Sequence, residues 1–254
     1  MQDNYVGDIG DYGKYGLLRT LTDTGLTLAV NWYRVIPKTV SAIQEPANVP
    51  IRRKQDDGKY TDYLNRPDEY RQYDPELFDC LEKLVKGNRC LEALQASGIL
   101  QAQFFLDELT VKGRLSWHNK ALNRTASADV VFLDPDNGLE TEMMHCRGTA
   151  TEKHTTWQEA KTYYDRGQSV ILYQHRPQMM KKEVCVRRVM HFQQSFLRAD
   201  HTLLLEYPRF TNRYYFLFFH QKHRKLLETV YRDVAQNWKG LCSPVELCRL
   251  PGDH

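Results

Sequence analysis

Oxygen-bearing side chains crowd one stretch of this chain, Asp129-Val-Val-Phe-Leu-Asp-Pro-Asp-Asn-Gly-Leu-Glu140, which places Asp134, Asp136, Asn137 and Glu140 within a few residues of each other. Carboxylates and an amide so close can accept hydrogen bonds from an amino group, exchange protons, or offer hard oxygen ligands to a cation such as Mg²⁺. Pro135 and Gly138 bend the chain so that these groups can converge. The competing reading is an ordinary Asp-Pro/Asn-Gly turn. A second concentration lies near the N-terminus, where Gly7, Asp8, Gly10, Asp11, Gly13 and Lys14 alternate with aromatic and aliphatic residues. Glycines allow positive φ and close backbone approach to a ligand, and Asp11 is placed to cap a helix from Lys14 to Leu21 whose free amides would suit an anion. A glycine-rich loop followed by a plain N-cap is the alternative. A third polar group, Gln174-His175-Arg176, directly follows the apolar run Ser169–Tyr173.

These groups need a frame, and the apolar pattern supplies one. Val130-Val131-Phe132-Leu133 shows no polar alternation, as expected of a strand covered on both faces in a parallel sheet. Such sheets bind ligands beyond the carboxyl ends of their strands, where Asp134 and His175 stand. Further strands are expected at Leu26–Ile36, Ala102–Thr110 and Ser169–Tyr173, with an antiparallel pair at Thr202–Tyr207 and Arg213–His220. Helices are signalled from Asp74-Pro75, where Asp74 caps and Pro75 takes the first position, and at 89–95, 115–122, 156–164, 178–197 and 223–238. His118 reads as a surface histidine or, as the alternative, a site residue; residues 145–155 are expected as a loop, and the tail from Gly240 draped over the outside. The fold class is α/β and Rossmann-like, a mostly parallel sheet with helices on both faces and an antiparallel C-terminal strand pair. A single domain over 1–254 is expected, with 37–73 as an inserted or lid segment.

Composition sets the bounds. The net charge of +3 permits a nucleic-acid partner without demanding one. Cys80, Cys90, Cys146, Cys185, Cys242 and Cys248 have neither CxxC nor metal-site spacing, so they read as reduced thiols of a cytoplasmic protein. No apolar run reaches the ~18 residues of a membrane span, and the N-terminus lacks a secretion signal.

The order strand, acidic turn, helix, strand, helix, tight strand pair resembles the closing half of Rossmann-type S-adenosylmethionine-dependent methyltransferases. Asp134-Pro135-Asp136-Asn137 is similar to the first two positions of their (D/N)-P-P-(Y/F) turn and departs at the last two. Gly7-Asp8-Ile9-Gly10-Asp11-Tyr12-Gly13-Lys14 resembles the opening Gly-Asn-x-x-Asp-x-x-Lys segment of the family that methylates adenine N6 in large-subunit ribosomal RNA. The chain also resembles a group of bacterial proteins that share G-D-x-G-D-(F/Y)-x-K-Y and L-D-P-D-N-G. The methyltransferase resemblance implies a nucleic-acid substrate, DNA or RNA, and S-adenosylmethionine as cofactor. Asp134 would accept a hydrogen bond from the target amino group, with Asp136, Asn137 and His175 beside it. Gly7, Asp8, Gly10, Asp11 and Lys14 would hold the cofactor. Where the family's first strand leads into Gly-x-Gly, this chain has Asn31-Trp32-Tyr33-Arg34. Two alternatives remain open: a Mg²⁺-dependent nuclease or phosphodiesterase with Asp134, Asp136 and Glu140 as ligands, and a non-catalytic nucleic-acid-binding protein.

Overall fold

The chain folds around one seven-stranded sheet in a computed structural model that describes residues 3–36, 60–208 and 212–247. The strands are β1 (Leu28–Asn31), β2 (Ala102–Phe105), β3 (Val130–Leu133), β4 (Gly138–Leu139), β5 (His154–Thr155), β6 (Ser169–His175), β7 (His201–Tyr207), β8 (Arg213–Phe219) and β9 (Ser243–Pro244). The helices are α1 (Ile9–Thr22), α2 (Pro67–Tyr70), α3 (Pro75–Lys86), α4 (Leu91–Ala96), α5 (Arg114–Arg124), α6 (Glu142–Arg147), α7 (Trp157–Asp165), α8 (Lys182–Phe192) and α9 (Arg224–Asn237). The sheet order is β2-β1-β3-β6-β8-β7-β9. β2, β1, β3 and β6 are parallel, and β8 runs against both β6 and β7. This is the expected α/β, Rossmann-like architecture, with β8, the last long strand, inserted between β6 and β7. β4 and β5 make a separate small parallel ribbon.

The pleat sorts side chains between two layers. Val30, Phe132, Ile171 and Leu217 face α1, α3 and α9, whereas Ala29, Val131, Leu133 and Leu172 face α5, α7 and α8. All four residues of β3 are buried, as a both-faces-covered strand requires. The expected cap of α3 is present: the Asp74 carboxylate accepts from Leu77 N at 3.0 Å, with Pro75 in the first turn. α7 starts with a reciprocal pair, Thr156 Oγ1 accepting from Glu159 N and the Glu159 carboxylate accepting from Thr156 N.

Several expectations are corrected. α1 begins at Ile9, and its cap is Asp8, whose carboxylate accepts from Asp11 N at 2.8 Å; Asp11 stands within the first turn. The first strand is shorter than the apolar run around it, because Tyr33 turns the chain at φ +47° just past β1. β6 continues through Gln174 and His175, which are its last two residues. Residues 145–155 carry the end of α6 and then β5. His118 is buried on α5 against Tyr163. Of the tail from Gly240 expected to drape over the outside, residues 248–254 lie outside the described residues; in the rest, Leu241 and Cys242 are buried and β9 pairs with β7. Of the inserted or lid segment expected at 37–73, residues 37–59 lie outside the described residues. The remainder packs onto α1, with Tyr63 stacked on Tyr12 at 5.2 Å and the Tyr12 hydroxyl donating to Tyr70 O at 2.8 Å.

Three glycines of α1 have a packing purpose. A Cβ on Gly10, Gly13 or Gly16 would lie 2.2, 2.1 or 2.0 Å from Arg213, Tyr207 and Trp238 respectively. Their spacing opens a groove along one helix face into which those three large side chains sit. Gly13→Ala therefore tests packing against propensity. On an exposed helix the change stabilises by about 0.5–1 kcal/mol. Here the methyl meets a fully buried ring, and a loss of about 1–3 kcal/mol in denaturant unfolding is expected.

Candidate functional site

β3 runs into the acidic turn, and the pleat that sorts the core also divides the predicted site residues. Asp134 continues the face of Phe132 and meets α1. Its carboxylate accepts from Lys14 Nζ at 2.8 Å, and the same ammonium reaches Asp11 at 2.7 Å. Tyr15 OH donates to the other Asp11 oxygen at 2.7 Å, and Arg213 pairs with Asp8 at 3.3 Å. The rings of Tyr15, Trp32 and Tyr173 surround the Lys14 ammonium at 5.5–5.7 Å. Burial pulls the Lys14 ammonium toward deprotonation, but Asp11 and Asp134 more than offset this and hold its pKa above the usual value. Burial pushes the Asp134 and Asp8 carboxyls up, opposed respectively by Lys14 and Arg213. Asp8, Asp11, Lys14 and Asp134 are each at most 6% exposed. They are expected to contact a cofactor or substrate; in this structure they contact each other.

The other half of the predicted site faces a cleft. Asn137 is exposed, and Gly138, at φ +106°, lets the chain pass so close to Gln174 that a Cβ would stand 2.4 Å from its side-chain oxygen. The Gln174 amide locks the turn to β6: it accepts from Leu139 N at 2.9 Å and donates to Asn137 O at 3.1 Å. His175 N donates to the same carbonyl. The trio after Tyr173 is expected beside Asp134; Gln174 and His175 meet the turn at Asn137 to Leu139, and Arg176 bonds to Asn212 O and Met180 O instead. Asn137, Gln174 and His175 line a cleft of about 820 Å³ together with His154, Trp157, Met180 and the α8 residues Arg187, Arg188 and His191. Burial, with Arg213 and Arg176, lowers the His175 pKa, and burial with Arg114 and Lys153 lowers that of His154. Both rings are therefore neutral at neutral pH, able to donate through one nitrogen and accept through the other.

The proposed Mg²⁺ ligands are dispersed. Asp134 is committed to Lys14, and the Glu140 carboxylate accepts from Trp157 N at 2.7 Å and meets His145 Nδ1 at 3.1 Å. Asp136 is half-buried in the turn between them. Among the described residues, no group of three or more His, Cys, Asp or Glu is arranged to hold a metal ion. The same described residues contain no helix long and apolar enough to cross a membrane.

A second buried network braces the other side of β1. Arg114 grips Glu159 through two nitrogens at 2.7 and 2.8 Å, Tyr33 OH donates to Glu159 at 3.1 Å, and Asn31 donates to Tyr163 OH at 3.1 Å. Local patterns point to neither this network nor Arg213, because their partners lie 45 to 205 residues apart in sequence. Gln174 is the exception, marked by its place at the end of an apolar run.

Lys14→Met leaves Asp11 and Asp134 buried without a counter-charge, and a loss of about 3–5 kcal/mol in unfolding is expected. Adding Asp134→Asn removes one of those charges, so the double variant is expected to be more stable than Lys14→Met alone. His118 gives a pH prediction. Both its ring nitrogens lack partners, and burial lowers its pKa. The unfolded chain thus binds more protons on the acid side, so the neutral-His contribution is present above the usual value of 6.5 and lost as pH falls through the folded value. His118→Phe is expected to flatten the fall in melting temperature over that range, and an unchanged slope would refute the assignment.

No protein-family model matches this sequence, and comparison with curated proteins gives no match either.

Proposed function

We propose that the protein binds a nucleic-acid base in the cleft at the carboxyl ends of β3 and β6, and that methylation of a base amino group is the reaction class nearest to its architecture. The observation that carries the reading is the convergence of Asn137, Gln174 and His175 on that cleft, at the sheet edge where α/β proteins bind ligands. Its volume of about 820 Å³ suits a nucleoside. The floor is neutral and hydrogen-bonding, the character required to read a base edge, while Leu139, Trp157 and Met180 supply apolar wall. The order of elements from β3 to β8 and the Asp134-Pro135 turn support methyltransferase-type chemistry through the resemblance they carry.

The expected S-adenosylmethionine holders on α1 do not fit that cofactor. The hollows above Gly10 and Gly13 are filled by Arg213 and Tyr207, and Asp8, Asp11 and Lys14 are consumed by internal ion pairs. A methyl donor would have to enter the β3–β6 cleft. Asp134, likewise, supports the turn from behind rather than meeting an amino group directly.

Calorimetric titration with adenosine, cytidine and S-adenosylhomocysteine tests the reading. Nucleoside binding is expected, weakened at least about tenfold by Asn137→Ala or His175→Ala, the cost of one or two lost hydrogen bonds at about 1.4 kcal/mol per decade. Uptake of S-adenosylhomocysteine by the same cleft would add the methyl donor; its absence would leave base binding without methyl transfer. No nucleoside binding, or binding indifferent to both substitutions, overturns the proposal.

A further inference from the structure

The α8 wall of the cleft differs in charge from its floor. α8 buries Cys185, Val189 and Phe192, spaced at i, i+4 and i+7, and this stripe fixes the rotation of the helix on the sheet. That rotation places the exposed residues Arg187, Arg188 and His191 on the cleft. Among the described residues neither guanidinium meets a carboxylate: the hydrogen bond of Arg188 goes to Met180 Sδ at 3.8 Å, and Arg187 makes no ion pair. Elsewhere on the surface, Arg71 is held by Asp79 and Arg224 by Glu228. The carboxylates lining the cleft offer these arginines little. Glu140 is buried under Trp157 N and His145, and Glu142 lies 3.5 Å from His191.

We infer that Arg187 and Arg188, flanked by His191, form a phosphate subsite, so that the ligand of the cleft is a phosphate-bearing nucleotide, free or within a strand. This rests on the base-binding reading above and extends it. A neutral floor and a cationic wall match the two ends of a nucleotide: an uncharged base edge read by hydrogen bonds, and a phosphate that a guanidinium engages through two parallel donors. The carboxylate-free arginines are therefore available without breaking an existing pair.

The test compares adenosine, adenosine monophosphate and a fluorescently labelled single-stranded oligonucleotide over a series of salt concentrations. The wild-type protein is expected to bind the monophosphate at least about tenfold more tightly than adenosine. The Arg187→Gln/Arg188→Gln variant is expected to abolish that preference while still binding adenosine. For the oligonucleotide, the same variant is expected to reduce the slope of log affinity against log salt by about one to two. Arg224→Gln, on the opposite face, is expected to leave that slope unchanged. Stronger binding of the oligonucleotide than of the monophosphate assigns the phosphate to a strand, and equal binding assigns it to a free nucleotide. A double variant that keeps both the monophosphate preference and the wild-type slope overturns the subsite. Loss of adenosine binding with retained, arginine-dependent phosphate binding would instead overturn the base-binding reading and leave the subsite standing.

Discussion

A lysine ammonium shut away from water between two carboxylates fixes the position of much else in this protein. Lys14 cannot leave Asp11 and Asp134 without exposing buried charge on both sides, so α1 is held to the end of β3. Arg213 and Asp8 make a second tie between the start of α1 and β8. The glycine groove of α1 then becomes a requirement, since a helix pinned this close to the sheet must admit Arg213, Tyr207 and Trp238 against its backbone. The acidic turn inherits its rigidity from this anchoring on one face and from Gln174 on the other.

The same anchoring divides the residues that look alike in sequence. Asp134 and Asn137 are three positions apart, yet one ends in a sealed ion network and the other in an open cleft. Alternation along β3 decides the first, and the left-handed step at Gly138, pressed against Gln174, directs the turn toward β6. Burial closes Asp134 against Lys14, behind the groups that face solvent.

Much of the fold was legible because it rests on local signals. The unbroken apolar run of β3, the Asp74-Pro75 start of α3, and Thr156 at the start of α7 are local patterns with one physical reading each. The site was legible only in part. Asp8, Asp11, Lys14 and Asp134 do come together, as their chemistry suggested, but whether acids and a base meet a ligand or neutralise each other depends on packing. Arg213 completes the cluster from 205 residues away, and nothing near it in the sequence announces that partnership. Gly10 and Gly13 misled for a related reason: a small residue permits close approach, and only the tertiary structure shows that the approaching group is the protein's own side chain. His118 reads as a surface residue by polarity alone, but its place on the inner side of α5 beside Trp117 and Ala121 buries it.

The likeness of the two motifs to a methyltransferase pattern therefore carries different weight at each end of the chain. At the turn, the matched Asp134 faces the closed network, while Asn137, where the chain departs from the pattern, opens onto the cleft at the sheet edge expected to bind ligands. At α1, it coincides with a closed network in which every charge already has a counterpart. A motif transfers a role only if the side chain retains an unsatisfied atom facing open space. By that criterion Asn137 and His175 remain candidates, joined by the arginines of α8 that no motif marked. The acids and lysine of α1 instead hold the frame that makes those candidates available.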